Sequence, residues 1–369
     1  DLFNGMSSYF DPGTIDNISG TITGVSGVIT TPGGSTLFPG TLATITFKSE
    51  ILSGSSSVLL SNVIVGDKEA QPVLFTINNG TVYVDAVSPT SFKMVGSPSY
   101  GDYVTTSTPI TIIANDENGI TSGVKEIHYV INGIEHIAYN DMVTFTFNEE
   151  CQHNLIFWAV DNVGNEGEHI VQTHYVDDTP PIITKVVGSP SVKVNDEWYV
   201  NLSTEINLTV TDGGCNGGVG LASLQYRIWN GTWSSWKDYA GNISFQEECM
   251  HYLEIYAEDL LNNSIIDNET FYVDNTPPNS NVDPIYPYTQ IFVPVPIHVT
   301  VSDNYCSSGI EHVELWYRYS NDNTTWSNWT IYGIDYASPW NWSFAAPENE
   351  GYYEFYSIAV DNLGNKEVA

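Results

Sequence analysis

Apolar and polar residues alternate along this chain in short runs, separated by Gly, Asn, Asp and Pro. Period-two alternation turns one face of an extended segment toward a core and the other toward water, so each run predicts a half-buried β-strand. In three places an alternating run closes on an aspartate, Asp116, Asp212 and Asp303, and a Gly-led strand follows: Gly123-Val-Lys-Glu-Ile, Gly220-Leu-Ala-Ser-Leu and Gly309-Ile-Glu-His-Val. Near the N-terminus the pattern predicts strands over 41–48, 58–65 and 73–77, and Asn78-Asn79-Gly80 turns into Thr81-Val-Tyr-Val as a hairpin. No segment keeps a helical period, and no apolar run approaches the roughly 18 residues that would span a bilayer. Strand formers with turn signals every 8–12 residues or so predict an all-β chain of β-sandwiches.

Whole phrases also recur. Val176-Asp177-Asp178-Thr179-Pro180-Pro181 returns 97 residues later as Val273-Asp274-Asn275-Thr276-Pro277-Pro278. Ala159-Val160-Asp161-Asn162-Val163-Gly164-Asn165 matches Ala257-Glu258-Asp259-Leu260-Leu261-Asn262-Asn263 and Ala359-Val360-Asp361-Asn362-Leu363-Gly364-Asn365. Self-similarity at so long a period means stacked domains. The expected division is 1–87, 88–181, 182–278 and 279–369, with each Pro-Pro a stiff, extended exit. After Asp361-Asn-Leu-Gly-Asn only Lys366-Glu-Val-Ala remains, so the fourth segment is expected to lack its closing strand. The expected cover is other polypeptide, either more of a longer chain or a strand lent head to tail by a neighbouring subunit. The chain opens on Asp1 with no signal peptide, which is expected of a mature product or a fragment.

The charge is lopsided: 10 Lys and Arg against 44 Asp and Glu give −34. The acidic content is ordinary, and the scarcity of Lys and Arg is not. Phosphate backbones need basic footprints, so nucleic acid is excluded as a natural partner. Unneutralised carboxylates repel unless cations lie among them. The recurrent acidic positions near the domain ends are Asp116, Asp161, Asp177, Asp178, Asp212, Asp259, Asp274, Asp303 and Asp361. Hard oxygen ligands converging on a junction suit Ca2+, which is the expected cofactor. The competing reading is that these aspartates simply make Asx-turns.

Cys215 and Cys249 lie in one segment and are expected to form a disulfide closing a 34-residue loop, which implies an oxidising compartment. Cys151 and Cys306 have no partner in their own segments; buried thiols and pairing between domains or chains both stay open. Eleven Asn-x-Ser/Thr acceptors, at Asn17, Asn79, Asn201, Asn207, Asn230, Asn242, Asn262, Asn268, Asn323, Asn328 and Asn341, suggest a glycosylated extracellular surface.

Trp233-Ser-Ser-Trp236 and Trp326-Ser-Asn-Trp329 are candidate binding aromatics, or else large core anchors. They resemble the Trp-mannosylation sites of thrombospondin repeats, without that family's interleaved arginines. His153 and His251, each two residues after a cysteine, read as structural strand positions, because two ligands fall short of a zinc site. His-Glu-x-x-His, Gly-x-Ser-x-Gly and phosphate-loop motifs are absent. Glu149 and Glu150 are expected side by side on a strand, facing opposite ways, so no carboxylate pair is at hand for catalysis.

Two resemblances extend this picture. Gly40-Thr-Leu-Ala-Thr-Ile-Thr-Phe-Lys and Leu60-Ser-Asn-Val…Asn79-Gly80-Thr-Val resemble the second half of cohesin modules, jelly-roll sandwiches that receive dockerins. The first half is absent, so residues 1–87 make a partial cohesin-like module and the dockerin-binding activity is not carried over. The Asp-Asn-Thr-Pro-Pro hinge and the Ala-Val-Asp-Asn-x-Gly-Asn loop resemble the immunoglobulin-like repeats of large archaeal and bacterial cell-surface proteins. That resemblance implies a non-enzymatic, extracellular, structural or adhesive array. Its partners would be further copies of the chain, as in a filament, or other surface proteins and glycans. The alternative is a scaffold that binds a protein (dockerin-like) or glycan partner.

Overall fold

A computed structural model describes residues 8–16, 21–29, 44–46, 48, 53–67, 69–117, 119–290 and 293–368. The chain is all-β. It packs as two compact units, one made of 1–94, 111–144 and 154–172, the other of 95–110, 145–153 and 173–369.

In the first unit, β1 (Ser8–Asp11) pairs with β4 (Ser26–Ile29), and β2 (Thr14–Asp16) with β3 (Thr21–Thr23). β5 (Gly54–Val58) pairs antiparallel with β6 (Gly80–Val84). This corrects two expected strands. Residues 59–65 and 73–77 form no ladder, and Leu59, Ile64 and Leu74 are exposed. Alternation selects a strand only where a partner edge supplies hydrogen bonds, and here β6 turns to β5 instead of folding back on 73–77. The expected strand over 41–48 and the start of the cohesin-like phrase lie largely outside the described residues.

The next segment holds β7 (Thr90–Val95), β8 (Ser99–Tyr100), β9 (Tyr103–Val104), β10 (Ile110–Asn115), β11 (Val124–Ile131), β12 (Ile134–Ala138), β13 (Met142–Phe145), β14 (Cys151–Asp161) and β15 (Ile170–Val176). Within the first unit, β12, β11 and the end of β14 are successive antiparallel neighbours. Within the second unit, the end of β15 runs parallel to β9, which pairs with β8.

The third segment lies wholly in the second unit. It holds β16 (Ile182–Val187), β17 (Ser191–Val194), β18 (Glu197–Val200), β19 (Ile206–Thr211), β20 (Leu221–Trp229), β21 (Lys237–Asp238), β22 (Cys249–Asp259) and β23 (Ser264–Val273). β16 pairs with β19, and a six-stranded sheet runs β17-β18-β23-β22-β20-β21. Ile206 and Leu208 of β19 and every second residue of β22 from His251 to Asp259 are buried, as period-two alternation requires. Their inward faces meet in a core of Ile206, Leu208, Phe245, Leu253, Ile255 and Phe271. Each such side chain contributes about 1.5–3 kcal/mol relative to exposure.

The last segment repeats the plan with β24 (Asn279–Val282), β25 (Val295–Ser302), β26 (Ile310–Ser320), β27 (Thr330–Asp335), β28 (Asn341–Phe344) and β29 (Tyr352–Asp361). Its two three-stranded sheets run β24-β25-β28 and β27-β26-β29. Leu315, Tyr317, Phe344 and Ile297 fill the core between them. Among the described residues β29 ends its sheet, whereas its counterpart β22 is flanked on both sides.

One irregularity recurs and prepares the candidate site. The ladder slips by one residue at Val124/Glu126, Leu221/Ser223 and Ile310/His312, directly after Gly123, Gly220 and Gly309. Those glycines have φ of +80°, +98° and +88°, a region glycine enters at no steric cost. The Gly-led strands of the sequence pattern are therefore bulged strand starts.

Candidate metal centres at the junctions

Nine aspartates meet in three equivalent triads: Asp85, Asp116 and Asp161; Asp177, Asp212 and Asp259; Asp274, Asp303 and Asp361. In each triad one carboxylate oxygen per residue lies within 4.8 Å of the others. The first member closes the last strand of one segment. The second follows the early strand of the next segment, and the third ends that segment's late strand. Each triad therefore joins two consecutive segments.

Backbone donors aim the carboxylates. In the second triad Asp177 accepts from the N–H of Val219 at 2.8 Å and of Thr179 at 3.2 Å, and Asp212 accepts from that of Gly220 at 2.6 Å. Asp259 Oδ1 accepts from the N–H of Leu261 and Asn263, and its Oδ2 from the Asn263 side chain at 2.8 Å. Asp161 and Asp361 hold the same turn through Asn165 and Asn365. The Asx-turn reading and the clustering are thus both realised by the same residues. Space is made by glycine: a Cβ on Gly214 would overlap the Asp177 carboxylate, and one on Gly218 would overlap that of Asp212. That accounts for two of the four glycines in the Gly213-Gly214-Cys215-Asn216-Gly217-Gly218 loop.

Asp161, Asp177, Asp259, Asp274 and Asp361 are almost wholly buried, and no ion pair among the described residues involves a triad aspartate. Burial pushes the Asp177 carboxyl up against the pull of its N–H donors, and the charges of Asp212 and Asp259 add to the rise. Burial likewise pushes Asp361 up to about 6, with Asp274 contributing and the Asn365 hydrogen bonds opposing. For Asp85 the burial effect is outweighed by hydrogen bonds from Val87 and Ser122, which hold it below the ordinary carboxylate range.

Asp178 departs from expectation and joins no triad. Successive residues of an extended hinge project to opposite sides, so Asp177 and Asp178 cannot face one point. Asp178 instead accepts hydrogen bonds from the Thr106 N–H, at 3.1 Å, and from its hydroxyl. Asp85, by contrast, was not singled out by the sequence pattern. Its signal is Thr81-Val82-Tyr83-Val84-Asp85, which parallels Thr173-His-Tyr-Val-Asp177 and Thr270-Phe-Tyr-Val-Asp274.

Each hinge is pinned from both sides. Glu150, which lies in a bend before β14 and not on a strand as expected, accepts from the Asp178 N–H at 3.1 Å and the Thr179 hydroxyl at 2.8 Å. Glu248 does the same for Asn275 and Thr276. From the following segment, the side chains of Asn263 and Asn365 donate to the Asp177 and Asp274 carbonyls.

The disulfides are Cys151–Cys215 and Cys249–Cys306, so the expected Cys215–Cys249 bond is replaced by two bonds between consecutive segments. The reason is the length of β22. Cys249 opens this 11-residue strand at one end of its segment. Cys215 sits near the Asp259 end, about 30 Å away by strand rise.

The tryptophan pairs each face an arginine. The Arg227 guanidinium lies 4.4 Å from the Trp233 ring and 4.6 Å from Trp236, and Arg318 lies 4.8 Å from Trp326 and 4.9 Å from Trp329. Glu254 and Glu354 pair with these arginines. The arginines that seemed missing come from strands β20 and β26, and each lies over one face of its two rings. His153 and His251 are buried against Phe147 and Phe245 as structural residues. Of the glycosylation candidates, Asn17 lies outside the described residues. Asn201 is half-buried, and Asn79, Asn207, Asn230, Asn242, Asn262, Asn268, Asn323, Asn328 and Asn341 are exposed. No helix among the described residues is long and apolar enough to cross a membrane.

No protein-family model and no curated protein matches the chain. Solved structures do resemble it. A 1.5-MDa bacterial ice-binding adhesin has a TM-score of 0.34 at 14% identity, over 76% of this chain and 95% of that one. A tetra-tandem repeat from the extending region of a large adhesion protein gives 0.28 at 13%, over 85% and 80%. Fibronectin(III)-like modules of Clostridium thermocellum CbhA give 0.28 at 16%, over 50% and 94%. At these scores the likeness carries no argument about ligand or activity.

Proposed function

We propose that this chain is a non-enzymatic structural or adhesive segment of a prokaryotic cell surface, with Ca2+ held at its segment junctions. The observation that carries this reading is the threefold recurrence of the aspartate triad at equivalent junctions. Three carboxylates drawn together with no Lys or Arg among them repel one another, and a hard divalent cation relieves that repulsion.

The residues present fit such an ion. A carboxylate offers about four acceptor positions. Asp177 and Asp212 each use two on backbone N–H groups, and Asp259 uses three on Leu261 and Asn263. Each therefore keeps at least one for a metal. In the third triad the buried Ser308 hydroxyl has no hydrogen-bond partner, while its own N–H donates to Asp274 at 2.7 Å. Asp85, Asp116 and Asp161 would hold the first ion, Asp177, Asp212 and Asp259 the second, and Asp274, Asp303 and Asp361 the third. When bound, the cation supplies charge neutralisation and a bond between adjacent segments.

The surface assignment is further supported by the two disulfides, which persist in oxidising compartments. Small-angle scattering and thermal unfolding with and without chelator test the reading. Loss of calcium is expected to lower the unfolding temperature and change the scattering profile, and identical curves would sink it. Self-assembly of copies into a filament is the finer form of the proposal, and electron microscopy of the native material decides it.

A further inference from the structure

The three triads differ in how their loops are tied to the preceding segment. Cys215 follows Asp212 by three residues, and Cys306 follows Asp303 by three. Each is bonded to the cysteine that opens the late strand of the preceding segment. That preceding segment also supplies the first aspartate of the triad, Asp177 or Asp274, and its Glu150 or Glu248 pins the hinge. The loop bearing the second aspartate is therefore tied covalently to the body bearing the first. At the first junction Gly119 occupies the cysteine position, and residues 1–87 contain no cysteine. Asp116 is there held to Asp85 by no covalent tie.

A metal site assembled from two segments of the chain binds more weakly when the ion must also order them, because ordering is lost from the affinity. A pre-existing bond removes that loss. We propose that the Cys151–Cys215 and Cys249–Cys306 bridges preassemble the second and third triads, so that these two bind Ca2+ tightly and the first binds it weakly. The inference rests on the calcium reading above. Buried hydroxyls without a hydrogen-bond partner stand beside both the first and the third triad, on Ser122 and Ser308, whose N–H groups donate to Asp85 and Asp274, so the difference between the triads rests on the bridges alone. Redox state then sets calcium affinity at two junctions and leaves the third unaffected.

Calcium titration calorimetry on the full chain tests this. The oxidised chain is expected to show two sites at least tenfold tighter than a third. The paired substitution Cys151→Ala with Cys215→Ala should leave one tight site, and adding Cys249→Ala with Cys306→Ala should leave none, with three weak sites remaining. Should a cysteine variant fail to fold, aspartate variants that keep all four cysteines still decide the matter. Asp116→Asn is expected to remove the weak site and Asp212→Asn a tight one. Three affinities within threefold of one another in the oxidised chain, or cysteine variants with unchanged affinities, overturn the inference and leave the calcium reading standing. Absence of any calcium binding, oxidised or reduced, removes both.

Discussion

The side-chain amide of Asn263 hydrogen-bonds the main-chain carbonyl of Asp177, 86 positions earlier, at 3.0 Å. The same nitrogen donates to the Asp259 carboxylate at 2.8 Å. One side chain thereby fastens the hinge of one segment to the late turn of the next. Asn365 repeats the arrangement with Asp274 and Asp361.

Asn263→Ala is therefore expected to leave a hinge carbonyl and a buried carboxylate each short of a donor. The cost should be about 1–3 kcal/mol, the usual penalty for orphaning buried polar groups. Urea unfolding measures it, and limited proteolysis should show faster cutting near residues 177–181. The neighbouring Asn262→Gly is the control. Asn262 is exposed with φ of +70°, so glycine there should change stability by no more than a few tenths of a kcal/mol.

Peptide mapping under non-reducing conditions should recover Cys151 with Cys215 and Cys249 with Cys306. The bridges span 64 and 57 residues. On the loop-entropy model each contributes about 4 kcal/mol, so reduction should lower the unfolding midpoint markedly. Recovery of a Cys215–Cys249 peptide would contradict the junction geometry.

Much of this architecture was legible in the sequence. Eight of the nine triad aspartates are among the recurrent acidic positions of the sequence, and the ninth, Asp85, closes a phrase parallel to those of Asp177 and Asp274. What stayed hidden depends on direction and distance. Asp178 shares the hinge with Asp177 but points away, and a list of acidic positions carries no orientation. Cys215 and Cys249 share a segment, and only the 11-residue run of β22 shows that they lie at opposite ends of it. Arg227 and Arg318 lie on β20 and β26, six and eight residues before the first of the two tryptophans each one covers, which stand outside the strands, so spacing along the chain did not connect them.

Arg318 makes two contacts with Glu354, Nε at 2.7 Å and a terminal nitrogen at 2.5 Å, while its face lies over Trp326 and Trp329. Arg318→Ala is expected to cost about 1–2 kcal/mol, combining a partly screened ion pair with two half-exposed cation–π contacts. Tryptophan emission should shift to the red as the rings gain solvent. Arg318→Lys should recover less than half, because an ammonium can neither stack flat on the rings nor bring two fixed nitrogens to the Glu354 Oε2. Full recovery by lysine would mean that charge alone matters there.

Alkaline pH supplies the last prediction. The Tyr353 hydroxyl donates to the Asn349 carbonyl and accepts from the Glu348 N–H, both at 3.1 Å. Burial pushes its pKa up to about 12, and the negative charge of Glu348 adds to the rise while the Glu348 N–H opposes it. Burial also raises Tyr199, Tyr272, Tyr317 and Tyr356. An unfolded tyrosine loses its proton near pH 10. Between about pH 10 and 12 the unfolded chain thus holds fewer protons than the folded one, and stability falls as pH rises. The contribution is fully present below pH 10 and is lost as pH climbs through 12. Phenolate absorbance should accordingly lag in the folded chain and jump when circular dichroism reports unfolding. Tyr353→Phe removes the ionisable hydroxyl together with its two hydrogen bonds. It should be about 0.5–1.5 kcal/mol less stable at pH 7 and lose less stability between pH 10 and 12. An equal slope in the two proteins would show that Tyr353 ionises as freely in the fold as outside it.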